Sequence, residues 1–334
     1  MRIGVLTSVG RTLDAFFQET VQQWQQQGHV VRCAAGTRPT ADLPFDLVDG
    51  LTQRPSPANV KVPSRLEAWA RLHDLDVVLT NTATASTLVR LKRMPCKVTY
   101  FCHGLHWNDR WHPAQVVERV LLSRTDSVVT INSDDREWFA ARHARVFHLR
   151  EGVGVPDSYP WTPLPPADTA IRLVWAGDFV PRKRPLVAVD VVREVSRLEH
   201  PVHLTMLGDG PLLDETKAHA ASLGVDELIT FTGRTDVRPH LAAAHALLHT
   251  ATWEGLPRIL LEGMSMGRRA YAFDVKGVRD VPEAVLEPDG DVSALARSIV
   301  ARPPTAAVDR EVADTFRVDA VAARLLDHLE DVVG

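Results

Sequence analysis

Glu254 and Glu262 are the two carboxylates of this chain that are best placed to contact a ligand. They lie in the stretch WEGLPRILLEGM, residues 253–264, with seven residues between them. The apolar run at residues 246–249 predicts a buried strand just before Glu254, and Pro257 suits the start of a helix because the first turn does not use the N–H that proline lacks. Open α/β sheets bind ligands outside the carboxyl ends of their strands. We therefore expect Glu254 to face a ligand, and Glu262, about two turns into the helix, to approach it from the side.

A purely structural interpretation of the same two glutamates is also possible. Glu254 would then be an acid favoured by the dipole at a helix N-terminus, and Glu262 a surface residue. The neighbours of Glu262, among them Leu260, Leu261 and Met264, are apolar, and a carboxylate in such surroundings needs a partner. From the local sequence alone both interpretations stay open, because short motifs also occur by chance.

Three consecutive cations, Arg182, Lys183 and Arg184, follow the strand and glycine turn at Gly177 and come just before a predicted helix. Positive charge at a helix N-terminus opposes the helix dipole unless an anion binds there. The run therefore predicts a phosphate or diphosphate site. The alternative is a solvated basic loop, which is what most charge runs are, but the shared strand-end edge with Glu254 favours the anion.

Two more strand-end turns of the second half, at Gly208 and Arg234, are expected at the same edge. Each alone is explained by a tight strand-to-helix connection. Neither these turns nor the first loop of the chain, at Gly10, carries the Gly-x-Gly-x-x-Gly fingerprint of dinucleotide-binding proteins. An oxidoreductase is therefore the least favoured enzyme class.

In the first half, His103 follows a predicted buried strand at residues 98–102. Such a histidine fits a ligand site and a hydrogen-bonded core position about equally well. His106 and Trp107 either line an acceptor pocket or cover the edge of the sheet. The sequence shows no Ser/His/Asp or Cys/His order that would suggest acyl transfer. It also shows no spacing of residues that is typical of metal ligands.

Apolar runs alternate with segments of helical period from end to end, which is typical of parallel sheets with crossover helices. In the first half we predict strands at residues 3–7, 30–34, 77–80, 98–102, 127–131 and 145–149, and helices at residues 12–27, 64–73, 85–93, 114–123 and 134–142. In the second half we predict strands at residues 172–176, 203–207, 228–232, 246–249, 270–273 and 284–286, and helices at residues 185–198, 211–223, 237–243, 258–266, 293–300 and 318–333.

The proline-dense segment at residues 156–166 has the composition of a stiff interdomain linker. We therefore predict an α/β protein of two doubly wound domains with a cleft between them, covering residues 1–157 and 158–315. The C-terminal helix, about residues 316–334, could pack on either domain, including back onto the first.

Composition narrows the classes of function. The chain has 334 residues, 45% of them hydrophobic, and a formal net charge of −4, which argues against a general nucleic-acid binder. Its three cysteines have no metal-ligand spacing and an odd number of them makes a poor disulfide framework. No apolar run approaches the roughly 20 residues that span a bilayer. We expect a soluble cytoplasmic protein, with peripheral contact at the inner face of a membrane left open and the oligomeric state undetermined.

With these residues assembled, the chain resembles the retaining glycosyltransferases of family 4, which have the GT-B fold of two Rossmann-like domains. The resemblance covers essentially the whole length. Residues 254–262 resemble the family's Glu–seven residues–Glu motif, and residues 267–277 are similar to its next strand and loop. Residues 103–106 and 130–135 resemble a bacterial subgroup that adds sugars during glycan or polysaccharide assembly, commonly from UDP-sugars.

The resemblance implies an acceptor-binding first domain and a donor-binding second domain. Lys183, with Arg182 and Arg184, would hold the donor diphosphate. Glu262 would bond the ribose hydroxyls and Glu254 the hydroxyls of the donor sugar. The further donor-binding residues that it implies are Gly177, Gly208, Arg234, Gly255, Leu256 and Pro257.

His103 would contact the reacting sugar, so the implied catalytic residues are His103, Lys183 and Glu254. Gly10, His106 and Trp107 would belong to the acceptor side. The chain also departs from the family pattern. Many members carry an arginine where Asp178 stands, so the diphosphate clamp would depend on residues 182–184 instead.

The implied reaction moves a hexosyl group from a nucleotide sugar to a hydroxyl of a small molecule or a lipid-linked sugar, in glycan, polysaccharide or glycosylated natural-product biosynthesis. Lysine and arginine can stabilise the departing diphosphate, so we expect no metal and no cofactor besides the nucleotide sugar. The glutamates would not be the acid and base of a hydrolase. A nucleotide-sugar epimerase, a sugar phosphorylase and a non-catalytic nucleotide-sugar-binding module remain alternatives.

Overall fold

The computed structural model describes residues 1–105, 112–166 and 170–334 of the chain. The described residues form two compact units. The first contains Met1–Gly154 and Val318–Gly334, and the second contains Val155–Arg317. Each unit is built around one parallel sheet with helices between its strands.

The sheet of the first unit has seven strands within the described ranges, in the order β3-β2-β1-β4-β5-β6-β7. Neighbouring strands are parallel, and the order reverses between β1 and β4. The strands are β1 (Arg2–Leu6), β2 (Val30–Ala35), β3 (Phe45–Leu47), β4 (Val77–Asn81), β5 (Lys97–Cys102), β6 (Ser127–Thr130) and β7 (Val146–His148).

The central strands β1, β4 and β5 are buried along almost their whole length, which explains their nearly continuous apolar sequence. The helices of the first unit are α1 (Gly10–Phe16), α2 (Gln18–Gln26), α3 (Val62–Leu72), α4 (Ala83–Arg90), α5 (Pro113–Leu122), α6 (Ser133–Ala140) and the C-terminal helix α13 (Val318–Val333). Helix α13 belongs to this unit, where Trp24 Nε1 donates to the carbonyl oxygen of Ala322 over 2.9 Å.

The single helix predicted at residues 12–27 is wrong, because α1 and α2 are separate. Phe17 lies between them with φ −127° and ψ −7°, outside the helical region. Its ring is fully buried and packs edge-on against Phe101, with 5.9 Å between ring centroids.

The edge strand β3 was not predicted from the sequence. It is three residues long, none of them buried, and it pairs only with β2 among the described strands. A strand this short and exposed leaves no apolar run in the sequence.

The sheet of the second unit has six strands among the described residues, in the order β10-β9-β8-β11-β12-β13. They are β8 (Ile171–Ala176), β9 (Val202–Leu207), β10 (Ile229–Gly233), β11 (Ala246–His249), β12 (Arg269–Phe273) and β13 (Val285–Glu287). The order reverses between β8 and β11, and both strands run parallel to their neighbours.

The helices of the second unit are α7 (Pro185–Arg197), α8 (Leu213–Leu223), α9 (Val237–Ala243), α10 (Arg258–Ser265), α11 (Val292–Ala301) and α12 (Arg310–Asp314). Helix α12, of five residues, was not predicted. The core lies between the sheet and these helices and includes Trp175, Phe179 and Phe273, all at most 2% exposed. None of the helices in the described ranges has the length and apolar character needed to cross a membrane.

Candidate functional site

The point where the strand order of the second unit reverses lies between β8 and β11. In doubly wound sheets, ligands bind at such a point, beyond the carboxyl ends of the two strands. The loop after β8 holds Gly177 and the cationic run, and the loop after β11 leads to Glu254. The reversal therefore brings together the two segments that the sequence identified separately.

Three glycines bring the neighbouring strand ends into contact. The N–H of Gly177 donates to the carbonyl oxygen of Leu207 over 3.0 Å, and the N–H of Gly208 to that of Gly233 over 2.9 Å. A Cβ on Gly208 would lie 1.9 Å from the carbonyl oxygen of Gly177, and the φ of Gly208 is +130°. Only glycine permits this packing of the loops that follow β8, β9 and β10.

The cationic run forms a tight turn. Pro181–Lys183 is a 3₁₀ turn, and Arg184 has φ +48° in the left-handed region just before α7 begins. Thr250, the residue just after the neighbouring strand β11, fixes this turn. Its Oγ1 lies 2.9 Å from the carbonyl oxygen of Lys183 and 3.0 Å from that of Arg184, and accepts from Trp175 Nε1 over 3.0 Å.

Glu254 is the anion that pairs with Arg182 and Lys183 of this turn. Its Oε2 accepts a 2.7 Å hydrogen bond from Arg182, and its Oε1 accepts one from the Lys183 ammonium. The Nε2 of His249 lies 3.5 Å from the same Oε1, which is long for a hydrogen bond. Glu254 is 8% exposed, so its two ion pairs are shielded from water more than ordinary surface pairs are.

The charges of this cluster determine how its groups ionise. Burial acts to raise the pKa of Glu254, but His249 and the Lys183 ammonium outweigh it and hold that pKa at about 2. Burial lowers the pKa of His249, with Glu254 acting in the opposite direction and Lys183 and Arg182 in the same one. Glu254 is therefore an anion and His249 a neutral imidazole at neutral pH.

Arg184 is oriented differently from the two cations before it. Its guanidinium donates to the carbonyl oxygens of Thr250 (2.6 Å) and Ala251 (2.9 Å) and pairs with Asp289 at 2.6 Å. It also lies over the ring of Phe273, 4.9 Å from its centroid. Arg184 therefore holds the loop after β11 in place, while Arg182 and Lys183 both pair with Glu254.

The loop after β12 supports Glu254 from the other side. The Glu254 N–H donates to the carbonyl oxygen of Lys276 over 3.0 Å. A Cβ on Gly277 would lie 2.3 Å from the carbonyl oxygen of Glu254, and its φ is +76°. Gly255, Leu256 and Pro257 follow in the turn that leads to α10, with Pro257 as the residue before the helix.

Glu262 lies in the second turn of α10, with only 12% of its side chain exposed. Burial raises its pKa, and Arg258 acts against that rise, with a guanidinium nitrogen 3.4 Å from the Glu262 carboxylate. Tyr159 is the second neighbour, and burial together with Glu262 raises the Tyr159 pKa to about 12. The partner that the apolar neighbours of Glu262 require is thus supplied by Arg258.

Arg234 is the most exposed of the predicted donor residues. It pairs with Asp178 at 3.0 Å, and about two thirds or more of each side chain is exposed. Asp178 is the position where the family resemblance leads one to expect an arginine. In this chain Asp178 forms an ion pair with Arg234, from the loop that follows β10.

In the first unit, His103 lies just after β5 and packs against Phe101 and Phe16, with ring centroids 4.7 Å and 5.1 Å away. The buried Asp135 fixes the same turn, because its Oδ2 accepts from the N–H of Leu105 over 3.0 Å. Gly10 is the first residue of α1, and its N–H donates to Thr37 Oγ1 over 2.9 Å. His106 and Trp107 lie outside the described residues.

The structure thus brings together Gly177, Arg182, Lys183, Gly208 and Glu254 at one edge of the second unit's sheet. Sequence reasoning missed the parts played by His249, Thr250 and Asp289. A signal for His249 exists in the sequence, since this histidine ends an apolar strand whose next loop carries Glu254.

Two protein-family models together match most of the chain. Residues 13–150 match the glycosyl transferase 4-like domain, and residues 170–301 match the glycosyl transferases group 1. The residues between the two matches, 151–169, include the proline-dense segment.

A curated relative is the lipopolysaccharide core biosynthesis glycosyltransferase LpsE of Rhizobium meliloti (strain 1021), with 31% identity over 139 residues. This match covers 40% of the chain and 39% of LpsE. The chain spans between 28% and 53% of the length of three other curated relatives that it matches.

Solved structures match over nearly the full length. The apo form of the lipopolysaccharide outer core galactosyltransferase WaaB has a TM-score of 0.79 with 15% identity, and covers 99% of both chains. HepE of Anabaena, solved with UDP and glucose, has a TM-score of 0.76 with 16% identity, also over 99% of both chains. At these identities the similarity establishes the fold.

Proposed function

The chain belongs to the family 4 glycosyltransferases with the GT-B fold, and we propose that it moves a hexosyl group from a nucleotide sugar, preferably a UDP-sugar, to a hydroxyl acceptor with retention of configuration. The proposed acceptor is a growing glycan of the polysaccharide or lipopolysaccharide type, either as a free sugar or linked to a lipid. The cytoplasm is the proposed location, with contact to the inner face of the membrane when the acceptor is lipid-linked.

The observation that carries this proposal is the pairing of Arg182 and Lys183 with Glu254 at the β8/β11 reversal. A departing nucleoside diphosphate gains negative charge as the glycosidic bond breaks, and fixed cations at that position lower the barrier. Thr250 already holds the backbone of the turn that carries both cations. This preorganised turn reduces the cost of bringing the cations to the diphosphate.

Glu262 is proposed to bind the ribose. A carboxylate accepts hydrogen bonds from two vicinal hydroxyls, and Glu262 is positioned on the second turn of the helix that follows Glu254. Burial raises the pKa of Glu262, and the guanidinium of Arg258, 3.4 Å away, acts against that rise and so supports the ionised form that accepts both bonds.

Glu254 is proposed to bind hydroxyls of the transferred sugar, with the backbone of Gly255, Leu256 and Pro257 shaping the pocket around it. A carboxyl whose pKa is about 2 stays ionised at neutral pH and is a poor proton donor. Glu254 is therefore suited to accept hydrogen bonds from sugar hydroxyls.

The remaining roles are proposed from the family resemblance. His103 is assigned to the reacting sugar, Arg234 to the base and Gly10 to the acceptor. Retention, independence of metal ions and the absence of a protein base are part of the same proposal, since the leaving phosphate can take the proton of the acceptor hydroxyl.

A thermal-shift screen tests the donor. A compound that binds only the folded protein raises the melting temperature, by an amount that grows with its concentration relative to Kd. UDP-, GDP-, ADP- and dTDP-sugars should be compared with the free nucleotides, and we expect the largest shift from a UDP-sugar. The absence of any shift across the panel would contradict the donor assignment.

Product analysis separates the transferase from the alternatives. A transferase releases free nucleoside diphosphate only when it has an acceptor or slowly hydrolyses the donor, whereas an epimerase converts the UDP-sugar to its isomer without an acceptor. A sugar phosphorylase requires inorganic phosphate, and a non-catalytic module binds donor without turnover. Chromatography of donor and nucleotide, with and without an oligosaccharide acceptor and phosphate, distinguishes these outcomes.

A further inference from the structure

His249 is a buried imidazole beside the central carboxylate of the donor site. It is the last residue of β11 and is 4% exposed. Its Nε2 lies 3.5 Å from Glu254 Oε1, the oxygen that also bonds Lys183. The same strand end continues into Thr250, which holds the backbone of the cationic turn.

The charged groups that face His249 come from two loops. Lys183 and Arg182 approach from the loop after β8, and Glu254 approaches from its own loop after β11. Two cations and one carboxylate leave little to stabilise a third positive charge in a buried position. A neutral imidazole here has one N–H to donate and one acceptor nitrogen.

A diphosphate bound at the cationic turn would have to share Arg182 and Lys183 with the Glu254 carboxylate. Both Arg182 and Lys183 use hydrogen-bond donors on Glu254, so a diphosphate competes with that carboxylate for them. When Lys183 turns to a phosphate, Glu254 Oε1 loses its donor. A buried carboxylate oxygen without a donor is costly, so a replacement within reach favours donor binding.

We propose that His249 is a positioning residue that donates to Glu254 Oε1 when Lys183 turns to the donor's diphosphate, and so holds Glu254 ready for the sugar hydroxyls. The inference rests on the proposed function. The required movement is small. From 3.5 Å, Nε2 needs less than an ångström to reach the hydrogen-bond length of about 2.9 Å.

The effect should depend on whether the sugar is present. With a free nucleoside diphosphate bound, water can occupy the sugar position and hydrogen-bond to Glu254. A bound sugar displaces that water, and then the imidazole is the donor that remains for Oε1. Loss of the imidazole should therefore weaken the binding of a nucleotide sugar more than the binding of the free nucleotide.

Two substitutions separate this role from simple core packing. His249→Leu keeps an apolar side chain of similar size but removes the donor, whereas His249→Gln keeps an N–H donor on a flexible chain. If the imidazole only fills space, the leucine variant should bind as well as the wild type and the glutamine variant less well. A positioning role predicts the reverse order.

The measurement is calorimetric titration of the full chain with UDP, UDP-glucose, UDP-galactose, UDP-N-acetylglucosamine and GDP-mannose, with GDP as its free nucleotide. For the sugar nucleotide that the wild type binds, we expect His249→Leu to lose roughly tenfold in affinity, against about twofold for the matching free nucleotide. His249→Gln should stay within about threefold of the wild type for both. His249→Met serves as a second apolar variant if the leucine variant does not fold.

Three outcomes decide between the ideas. Selective loss in the apolar variant with recovery in His249→Gln supports the positioning role. Wild-type selectivity in His249→Leu overturns that role and leaves the proposed function standing. If the wild type binds none of these sugar nucleotides, the proposed function fails, and the inference fails with it.

Discussion

Arg182 donates a 2.7 Å hydrogen bond to Glu254 Oε2, which joins the loop after β8 to the loop after β11. These strands are neighbours at the reversal of the second unit's sheet. The pairing explains how positive residues are tolerated just before the N-terminus of α7, where the helix dipole disfavours them. The sequence pattern required an anion beside these cations, and the protein supplies it as Glu254. A diphosphate would compete with Glu254 for Arg182 and Lys183.

Removal of the lysine should therefore affect binding and turnover together. We expect Lys183→Ala to weaken UDP binding by about 30-fold and to reduce transfer by on the order of 100-fold or more, because one fixed cation at the leaving group is lost. Arg197→Ala is the matched control. Arg197 is the last residue of α7, the helix that follows the turn with Lys183. It pairs with Glu194 at 2.9 Å, and its side chain is 58% exposed. Unchanged UDP binding in Lys183→Ala would contradict the proposed clamp.

The two glutamates should differ in what they recognise. Glu262→Ala should weaken binding of free UDP by about tenfold, the loss of a pair of hydrogen bonds, and leave the order of preference among sugars unchanged. Glu254→Ala should instead alter sugar preference more than nucleotide affinity. Glu215→Ala, an exposed glutamate of α8, controls for loss of negative charge. An equal loss of UDP affinity in Glu254→Ala would show that the two roles are exchanged.

The contact between Gly208 and Gly177 makes a prediction about stability. An alanine at position 208 would place its Cβ 1.9 Å from a carbonyl oxygen at φ +130°, so Gly208→Ala should lower the free energy of unfolding by about 3 kcal/mol or more. Gly224→Ala is the control, since Gly224 also has positive φ (+66°) but nothing within 4 Å of a Cβ. It should lose only about 1 kcal/mol. Denaturant unfolding of the two variants, followed by circular dichroism, compares these losses.

The alternation of apolar runs and helical segments was enough to predict both parallel sheets, and the fold class is confirmed. This worked because strands such as β4 and β11 are buried along their whole length, so each leaves a continuous apolar run. Phe17 shows where the approach fails. A helical pattern in sequence does not reveal a break at a single buried residue, and Phe17, which packs on Phe101, is such a residue.

The candidate site was predictable only as a set of loops. Strand-end positions located Lys183 and Glu254 at one edge, but the pairing of their charges depends on side-chain directions that spacing does not give. Arg184 illustrates the difference, because its neighbours in sequence bind Glu254 while its own guanidinium binds backbone carbonyls and Asp289. His249 was overlooked because it was counted only as the last residue of an apolar strand, although its side chain lies 3.5 Å from Glu254.

The C-terminal helix α13 carries a buried histidine that contacts the sheet of the first unit. His328 of α13 is 9% exposed, stacks on Phe147 with centroids 4.5 Å apart, and has its Nε2 3.1 Å from Ser127 Oγ. Burial lowers the pKa of His328 to about 4. The positive charge of Arg145 adds to this shift, and the negative charge of Asp331 opposes it. In the unfolded chain a histidine has its ordinary pKa of 6.5. The unfolded state thus binds more protons between these two values, and stability falls as the pH drops from about 6.5 towards 4.

The stability contributed by His328 should be fully present above pH 6.5 and reduced by about 2 kcal/mol at pH 5. His328→Phe should remove this part of the pH dependence, because a phenyl ring can keep the stacking on Phe147 and takes up no proton. Amide hydrogen exchange of α13 between pH 5 and pH 7, corrected for intrinsic rates, measures local opening without assuming that both units unfold together. The exposed His200, changed to phenylalanine, is the control. If α13 loses protection at pH 5 equally in the wild type and in His328→Phe, protonation of a different group releases the helix.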